Sequence, residues 1–261
     1  MERRFYAMRL WYEGSRFRGY QRQPGLPTVQ EALEYALRRA GVRAHIFAAA
    51  RTDAGVHALS QVVSFAVRAA IDPEALRREL NASLPDGMAV VEAWHVPGGF
   101  HARASALSRT YVYLLGEEVP AGLAAYAWCL PDARAFPDLG LRSADPSAIR
   151  AALTHAVGTH DFAGFARGTA PPSTTRTLLR AEVRSASWSR LHAVVLEGTG
   201  FVRAMVRNLV GTAVAAGLGI VPPAHVAEVL VARGRYRGVR APAHGLTLAA
   251  VAYRPSSWGA G

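Results

Sequence analysis

The hydrophobic pattern of the first hundred or so residues alternates between the two-residue period of strands and the longer period of helices. It predicts elements in the order β-α-β-β-α-β, which is the order of a ferredoxin-like unit. The predicted strands cover residues 5–12, 45–50, 61–67 and 88–96, and the predicted helices cover about residues 28–39 and 72–84. Thr28 and Glu31 form a capping-box pattern, while Asp72 and Pro73 supply a cap and a first-turn proline.

The rest of the chain shows a similar order of elements. The predicted strands cover residues 109–115, 176–188, 191–198 and 246–253, and the predicted helices start at residue 145 and cover 201–218 and 223–232. Gly158 is expected to stop the first of these helices. The pattern therefore predicts the α+β class with two halves, residues 1–105 and 106–261. No repeat of the sequence itself accompanies this duplication, which rests on pattern alone.

The composition is that of a folded globular protein. Hydrophobic residues make up 51% of the chain, together with 24 glycines and 15 prolines. No apolar run approaches the roughly 20 residues that a membrane-spanning helix needs, and the N-terminal segment lacks the apolar core of a signal peptide. Cys129 is the single cysteine of the sequence. It excludes an internal disulfide and a multi-cysteine metal site, and it indicates a reducing cytoplasm.

The charge of the chain favours nucleic acid as a partner. The formal net charge is +11, and every one of the 30 basic residues is arginine. The planar guanidinium of arginine suits phosphate and stacks on bases. A GC-rich genome would explain the absence of lysine, but it does not by itself explain the excess of positive charge.

The segment AAARTDAGVHALSQ, residues 48–61, interrupts two apolar runs with charged and polar residues. One interpretation is a turn in which Asp53 accepts backbone hydrogen bonds and Gly55 supplies a positive φ. The other is a catalytic loop, because Arg51, Asp53 and His57 cluster in a connection between strands, and a lone carboxylate can act as nucleophile or base. The spacing alone favours the turn.

The loop over residues 13–25 mixes arginines with aromatic and amide side chains. Its candidates for contact with RNA are Arg16, Arg18, Tyr20, Gln21 and Arg22. This mixture suits phosphate contacts and stacking on an unpaired base. A solvated basic hairpin with its aromatic rings in the core explains it equally well.

Three further groups of polar residues are weaker signals. His160 and Asp161 lack the neighbouring ligands of a zinc site and favour a structural hydrogen bond. Arg203 and Arg207 stand four residues apart in a predicted helix with apolar neighbours, which favours an anionic partner for at least one of them. A run of arginines at positions 233, 235, 237 and 240 is typical of a solvated surface that can contact phosphate.

Six segments, taken in order, resemble the motifs of the TruA family of tRNA pseudouridine synthases. They are YEGSRFRGYQRQPGLPTVQEALEYAL, ARTDAGVHALSQVVSF, FHARASALSRTYVY, THDFAGF, GFVRAMVRNLVG and APAHGLTLAAVAY. The ordered set spans nearly the whole chain. Ala50 is a departure, because the family usually has glycine before R-T-D.

The resemblance implies isomerisation of uridine to pseudouridine at positions 38 to 40 of the tRNA anticodon stem-loop. It implies a cytoplasmic homodimer without cofactor or metal. It also implies two ferredoxin-like halves that share a central, mainly antiparallel sheet, with the active cleft between them. A non-catalytic tRNA-binding or tRNA-folding protein on the same scaffold is the alternative.

The resemblance also assigns roles to individual residues. Asp53 matches the catalytic aspartate, and Arg51 matches the arginine of the same motif. Tyr111 matches the tyrosine that packs against the target base, and Arg207 matches the arginine expected to pair with Asp53. Support roles fall to His57 and Gln61, and both His57 and Arg203 are counted among the candidates for RNA contact.

Overall fold

The computed structural model describes residues 3–130, 143–168, 173–186, 190–232 and 238–255. The strands are β1 Arg4–Tyr12, β2 Phe47–Ala48, β3 His57–Val67, β4 Met88–Val96, β5 Ala106–Gly116, β6 Ala127–Cys129, β7 Gly158–Asp161, β8 Thr175–Ser185, β9 Leu191–Gly198 and β10 Leu246–Tyr253. The α-helices are α1 Val29–Arg39, α2 Pro73–Asn81, α3 Pro146–Thr154, α4 Met205–Gly217 and α5 His225–Ala232. The fold is mixed α+β, as the pattern predicts. No helix in these described ranges is long and apolar enough to cross a membrane.

The chain divides into two compact units, each with its own sheet strands. The first unit comprises residues 1–109 and 248–261, and the second comprises residues 110–247. In the first unit the strands lie in the order β4-β1-β3-β10, and β2 also pairs with β3. The pairs of β1 with β3, β1 with β4 and β2 with β3 are all antiparallel. The predicted order β-α-β-β-α-β is confirmed for this unit.

Both helices of the first unit begin where the sequence predicts a cap. The Thr28 hydroxyl accepts a hydrogen bond from the Glu31 amide at the start of α1, and the Asp72 carboxylate accepts one from the Glu74 amide at the start of α2. Such caps satisfy amides that have no partner within the helix. On α1 the apolar side chains recur at helical spacing and are buried, which packs this helix onto the core.

In the second unit the strands lie in the order β5-β9-β8-β7, with β6 beside β5. The pairs β7–β8 and β8–β9 are antiparallel, whereas β5 and β6 are parallel. Helix α4 is almost entirely buried and packs against α3. At their contact a β-carbon on Gly217 would lie 2.6 Å from the side chain of Ile149, so only glycine allows this approach.

Several element boundaries differ from the predicted ones. The strand predicted over residues 45–50 is only two residues long, and β3 begins at His57, before the predicted residue 61. The strand predicted to reach residue 188 ends at Ser185, and residues 187–189 lie outside the described ranges. The short strands β6 and β7 were not predicted. Each is short and depends on pairing with a distant neighbour, which leaves little local pattern.

Helix α4 begins at Met205, so the predicted start at residue 201 is wrong. Ala204 precedes it with φ at 64°, in the left-handed region that a helix cannot include. Arg203 therefore lies before the helix, and the predicted helical face shared by Arg203 and Arg207 does not exist.

Candidate active site

Asp53 lies in the loop that connects β2 with β3 in the first unit. The side chain of Arg51 is exposed, Thr52 is buried and Asp53 is half-buried. The Val56 amide donates a hydrogen bond of 3.1 Å to the Asp53 carbonyl, which closes a turn. Gly55 has φ at 81° within this turn, as the turn interpretation predicts. The turn and the catalytic interpretation are therefore compatible, because the backbone of Asp53 makes the turn.

A buried network of polar side chains is hydrogen-bonded to the Asp53 loop. The Tyr12 hydroxyl and the Thr52 hydroxyl are 2.8 Å apart and share a hydrogen bond. The Gln61 amide group donates to the Tyr12 hydroxyl at 3.2 Å and to the Ala50 carbonyl at 2.8 Å, and its oxygen accepts from the Ala50 amide at 3.2 Å. The backbone at Ala50 and the side chain at Thr52 are thus both fixed, on either side of Arg51.

Because the phenol of Tyr12 in this network is buried, the stability of the protein is expected to decrease at alkaline pH. Burial raises the pKa of Tyr12 to about 12 from an ordinary value of 10.0. The unfolded chain loses this proton first, so the contribution to stability is complete below pH 10 and is lost as the pH rises towards 12. Between pH 9 and pH 11 we expect wild type to lose about 1 kcal/mol more free energy of unfolding than Tyr12→Phe, measured by urea titration. Tyr35→Phe, which alters an exposed ring, should follow wild type; equal losses in wild type and Tyr12→Phe would contradict the assignment.

The segment that follows β1 is hydrogen-bonded to the end of the Asp53 loop. The Gly14 amide donates to Nδ1 of the buried His57 at 3.1 Å. Nδ1 is therefore an acceptor, which places the proton of the neutral ring on Nε2. A β-carbon on Gly14 would lie 2.1 Å from the carbonyl oxygen of Val56. Residue 14 must be glycine for the two segments to approach this closely.

The loop over residues 13–25 makes a second contact with the Asp53 loop. The Tyr20 amide donates to the Thr52 carbonyl at 3.0 Å. Gly19 has φ at 98°, and a β-carbon there would lie 3.1 Å from the same carbonyl oxygen and 3.2 Å from the Ala54 amide nitrogen. Gly14 and Gly19 therefore allow the loop over residues 13–25 to pack closely against both ends of the Asp53 loop.

The structure separates the buried members of the 13–25 loop from the exposed ones. Phe17 and Tyr20 are buried, and burial raises the pKa of Tyr20. Gln21 is exposed. The aromatic rings therefore support the loop, and the polar side chains are the ones that solvent and ligands can reach.

The arginines of this region differ in their partners. Arg16 forms an ion pair of 2.7 Å with Glu13, and Arg22 lies 3.5 Å from Glu34. Arg18 and Arg51 are exposed, and neither forms an ion pair with any residue that the structure describes. These two guanidinium groups are the ones already available to an external anion.

The remaining predicted site residues lie in the second unit. Tyr111 is buried in β5, and its ring meets Phe201 edge-on at a centroid distance of 5.2 Å. Arg207 is half-buried in the first turn of α4, where its Nε donates to the Ala241 carbonyl at 2.8 Å. Arg203 is exposed, and its carbonyl accepts from the Arg167 amide at 3.1 Å.

Two other sequence predictions concern this unit. Asp161 caps a local turn by accepting hydrogen bonds from the Ala163 amide and the Thr174 hydroxyl, and the His160 ring contacts the Val157 carbonyl. Both side chains therefore make structural hydrogen bonds, but these bonds join them to other residues, whereas the prediction was a bond within the pair. Of the arginine run, positions 233, 235 and 237 lie outside the described residues, and Arg240 donates to the Asn208 side chain at 3.1 Å.

The roles of Tyr12, Thr52 and Gly14 cannot be inferred from the local sequence pattern. In the sequence, Tyr12 resembles any other core residue of an alternating strand, and Thr52 is a residue type that is common in turns. A polar Gln61 within an apolar strand was the available signal, because a buried amide requires hydrogen-bond partners. No cluster of three metal-ligating side chains occurs among the residues described.

The tRNA pseudouridine synthase family model matches residues 10–103 and 152–254 of the chain. These ranges include the loop that carries Asp53, the loop over residues 13–25 that contacts it, and also Arg203 and Arg207. The chain belongs to the tRNA pseudouridine synthase family. It is an isomerase of the TruA type.

Proteins named tRNA pseudouridine synthase A resemble this family member along almost its full length. The protein from Thermotoga petrophila is 38% identical over 90% of this chain and 94% of its own. The protein from Roseiflexus sp. is 37% identical over 97% of this chain and 92% of its own, and that from Chlamydia trachomatis serovar A is 35% identical over 95% and 92%. A solved H/ACA RNP bound to a substrate RNA containing 2'-deoxyuridine shares 13% identity at a TM-score of 0.35, covering 81% of this chain and 44% of that one.

Proposed function

We propose that the enzyme isomerises uridine to pseudouridine at positions 38, 39 and 40 of the tRNA anticodon stem-loop, with Asp53 as the catalytic carboxylate. The observation that carries the proposal is the construction of the Asp53 loop. A buried network and a second loop fix its backbone on both sides of a half-buried carboxylate. A turn that served only to connect two strands would not require these contacts.

The reaction breaks the N1–C1′ glycosidic bond, turns the uracil and joins its C5 to C1′. No electron is gained or lost: the proton on C5 leaves to solvent at the end, and N1, which has lost its bond to C1′, takes up a proton. The Asp53 carboxylate assists the first step either as a nucleophile on the sugar or the base, or as a base that removes a sugar proton to give a glycal. The covalent bond to Asp53 breaks again, or the sugar proton is returned, by the time pseudouridine is formed. Both routes place the same carboxylate at the nucleotide, so the role of Asp53 does not depend on the choice.

The other predicted site residues are proposed to orient the Asp53 carboxylate or to contact the uracil. In this proposal Arg51 and Arg207 orient the Asp53 carboxylate, and Tyr111 packs against the uracil. The Nε contact of Arg207 with a backbone carbonyl restricts its guanidinium, so less freedom is lost when it binds an anion. The pairing of Arg207 with Asp53 stays a prediction from the sequence.

Arg18 is the proposed phosphate contact of the 13–25 loop. Because it has no ion pair among the described residues, it can bind RNA without breaking one. The target base must leave its stack at a cost of a few kcal/mol, and a cation at the backbone helps to hold that extruded state. We also propose that the enzyme acts as a cytoplasmic homodimer, which sedimentation at about twice the mass of the chain would support.

The activity itself is tested by tritium release from tRNA labelled at C5 of uridine. An isomerase releases tritium in proportion to the pseudouridine formed and leaves the RNA chain without abasic sites. A protein that only binds or folds tRNA releases none. A hydrolase would leave abasic sites. Either of these last two results would contradict the proposal.

Replacing Arg18 should weaken tRNA binding in a salt-dependent way. For Arg18→Ala we expect about 3- to 10-fold lower affinity at low salt, with a reduced slope of log affinity against log salt, because one phosphate contact is lost. Arg77→Ala is the matched control, since Arg77 is held in an ion pair of 2.7 Å with Glu74 on α2. Binding is measured by filter retention of labelled tRNA at several salt concentrations. Equal affinity of Arg18→Ala and wild type at all of them would refute the contact.

A further inference from the structure

An aromatic ring on the edge strand β2 remains at the surface. Phe47 is 40% exposed, whereas the neighbouring Ile46 is buried, as is Ala49 two positions further along the chain. Phe47 pairs with Ser64 of β3, and the Ser64 hydroxyl accepts from the Ala102 amide at 2.9 Å. The strand and the following segment are thus fixed, and the exposed phenyl ring is held in place.

Two imidazole rings flank this phenyl ring. His45 lies at a centroid distance of 4.7 Å and His101 at 4.3 Å. Nδ1 of His101 accepts from the amides of Arg103 and Ala104 at 3.1 and 3.2 Å. These bonds fix the orientation of the His101 ring and require a lone pair on Nδ1. We call Phe47, His45 and His101 the aromatic platform.

Arginines lie next to the platform. Arg38 and Arg43 line a shallow depression together with His45. Both arginines are exposed, and neither forms an ion pair within the described ranges. Glu34 also lines the depression, but its carboxylate accepts from Gln30 and lies near Arg22. The depression therefore offers two available cations beside exposed rings.

We propose that the aromatic platform is a second RNA-binding site, where an unpaired base stacks while Arg38 and Arg43 hold phosphates of the same strand. Exposed rings beside a cationic groove suit single-stranded RNA, because every base has a face that stacks and every nucleotide carries a negative charge. The net charge of +11 makes an anionic partner favourable at this surface.

The platform is close enough to Asp53 for one tRNA to contact both. Asp53 lies six positions after Phe47, so an extended chain would span at most about 20 Å between them. This inference rests on the proposed function, because it takes tRNA as the ligand. The platform would add a contact that increases the affinity for tRNA without touching the reacting nucleotide.

The test compares tRNA affinity with the rate of the bound complex. For Phe47→Leu, which keeps an apolar side chain but removes the ring, we expect about 5- to 100-fold weaker binding of a tRNA transcript. Phe47→Trp should bind as well as wild type. Arg38→Ala with Arg43→Ala should weaken binding and reduce its salt dependence. In each variant the single-turnover rate of tritium release at saturating tRNA should equal that of wild type.

Val91→Ala is the control, because Val91 is 44% exposed on β4, another edge strand of the same unit. It should bind tRNA as wild type does. Wild-type affinity of Phe47→Leu would overturn the platform, and so would an equal loss in Phe47→Trp. A change in oligomeric state without a change in tRNA affinity would also overturn it, because the surface would then bind protein. If wild type binds tRNA but releases no tritium, the proposed function fails while the affinity measurements still decide the platform.

Discussion

Asp53→Asn is expected to abolish pseudouridine formation while leaving tRNA binding intact. The substitution keeps the size of the side chain and removes its charge, so neither nucleophilic attack nor proton removal remains possible. We expect the single-turnover rate of tritium release to fall on the order of 10³-fold or more. Because the Asp53 backbone closes the turn, the loop itself should persist in the variant.

The control for this substitution is Asp72→Asn. Asp72 caps α2 with its carboxylate, and asparagine caps a helix about as well as aspartate. This variant should match wild type in stability, binding and tritium release. Wild-type tritium release by Asp53→Asn would show that the carboxylate is not catalytic. Loss of tRNA binding in Asp53→Asn would show that Asp53 acts in recognition instead.

Gly14→Ala should have the second-largest effect, through the position of the Asp53 loop. The added carbon would lie 2.1 Å from the Val56 carbonyl oxygen, and contacts below 3.0 Å are not tolerated, so the segments must separate by about 0.9 Å. A misplacement of roughly 1 Å in a catalytic group can cost about 10²-fold in rate. We expect this loss in the single-turnover rate, with tRNA affinity near that of wild type and stability lower by about 1–3 kcal/mol.

Gly122→Ala is the matched control for this prediction. A β-carbon on Gly122 meets nothing within 4 Å, so it tests the effect of an added methyl group without a clash. It should leave rate and stability unchanged. A wild-type rate for Gly14→Ala would mean that the contact between the two loops does not position Asp53. A tRNA affinity reduced as strongly as the rate would assign the contact to recognition.

Local signals explain why most of the fold could be predicted from the sequence. The caps at Thr28 and Asp72 mark the starts of α1 and α2, and strand β1 buries Tyr6, Met8, Leu10 and Tyr12 at a period of two. The start of α4 could not be predicted in this way. Its apolar pattern continues back to Phe201, but the left-handed conformation of Ala204 prevents the helix from starting before Met205. Alanine gives no local sign of such a conformation.

The candidate site could be predicted in part. Asp53, Gly55 and Arg51 stand together in sequence, so a turn with a carboxylate could be inferred from the residues alone. The network of Tyr12, Thr52 and Gln61 joins positions 40 and 49 residues apart, and no spacing rule relates them. The specific roles of Tyr111 and Arg207 rest on the resemblance, because the residue pattern alone indicates only an anionic partner for Arg203 or Arg207.

The most direct test of the account uses an anticodon stem-loop in a full tRNA transcript, with tritium at C5 of its uridines. One transcript carries uridine at positions 38, 39 and 40, and a second carries cytidine at all three. We expect wild type to release tritium from the first transcript and not from the second, and Asp53→Asn to release it from neither. Equal release from both transcripts, or undiminished release by Asp53→Asn, would contradict this expectation.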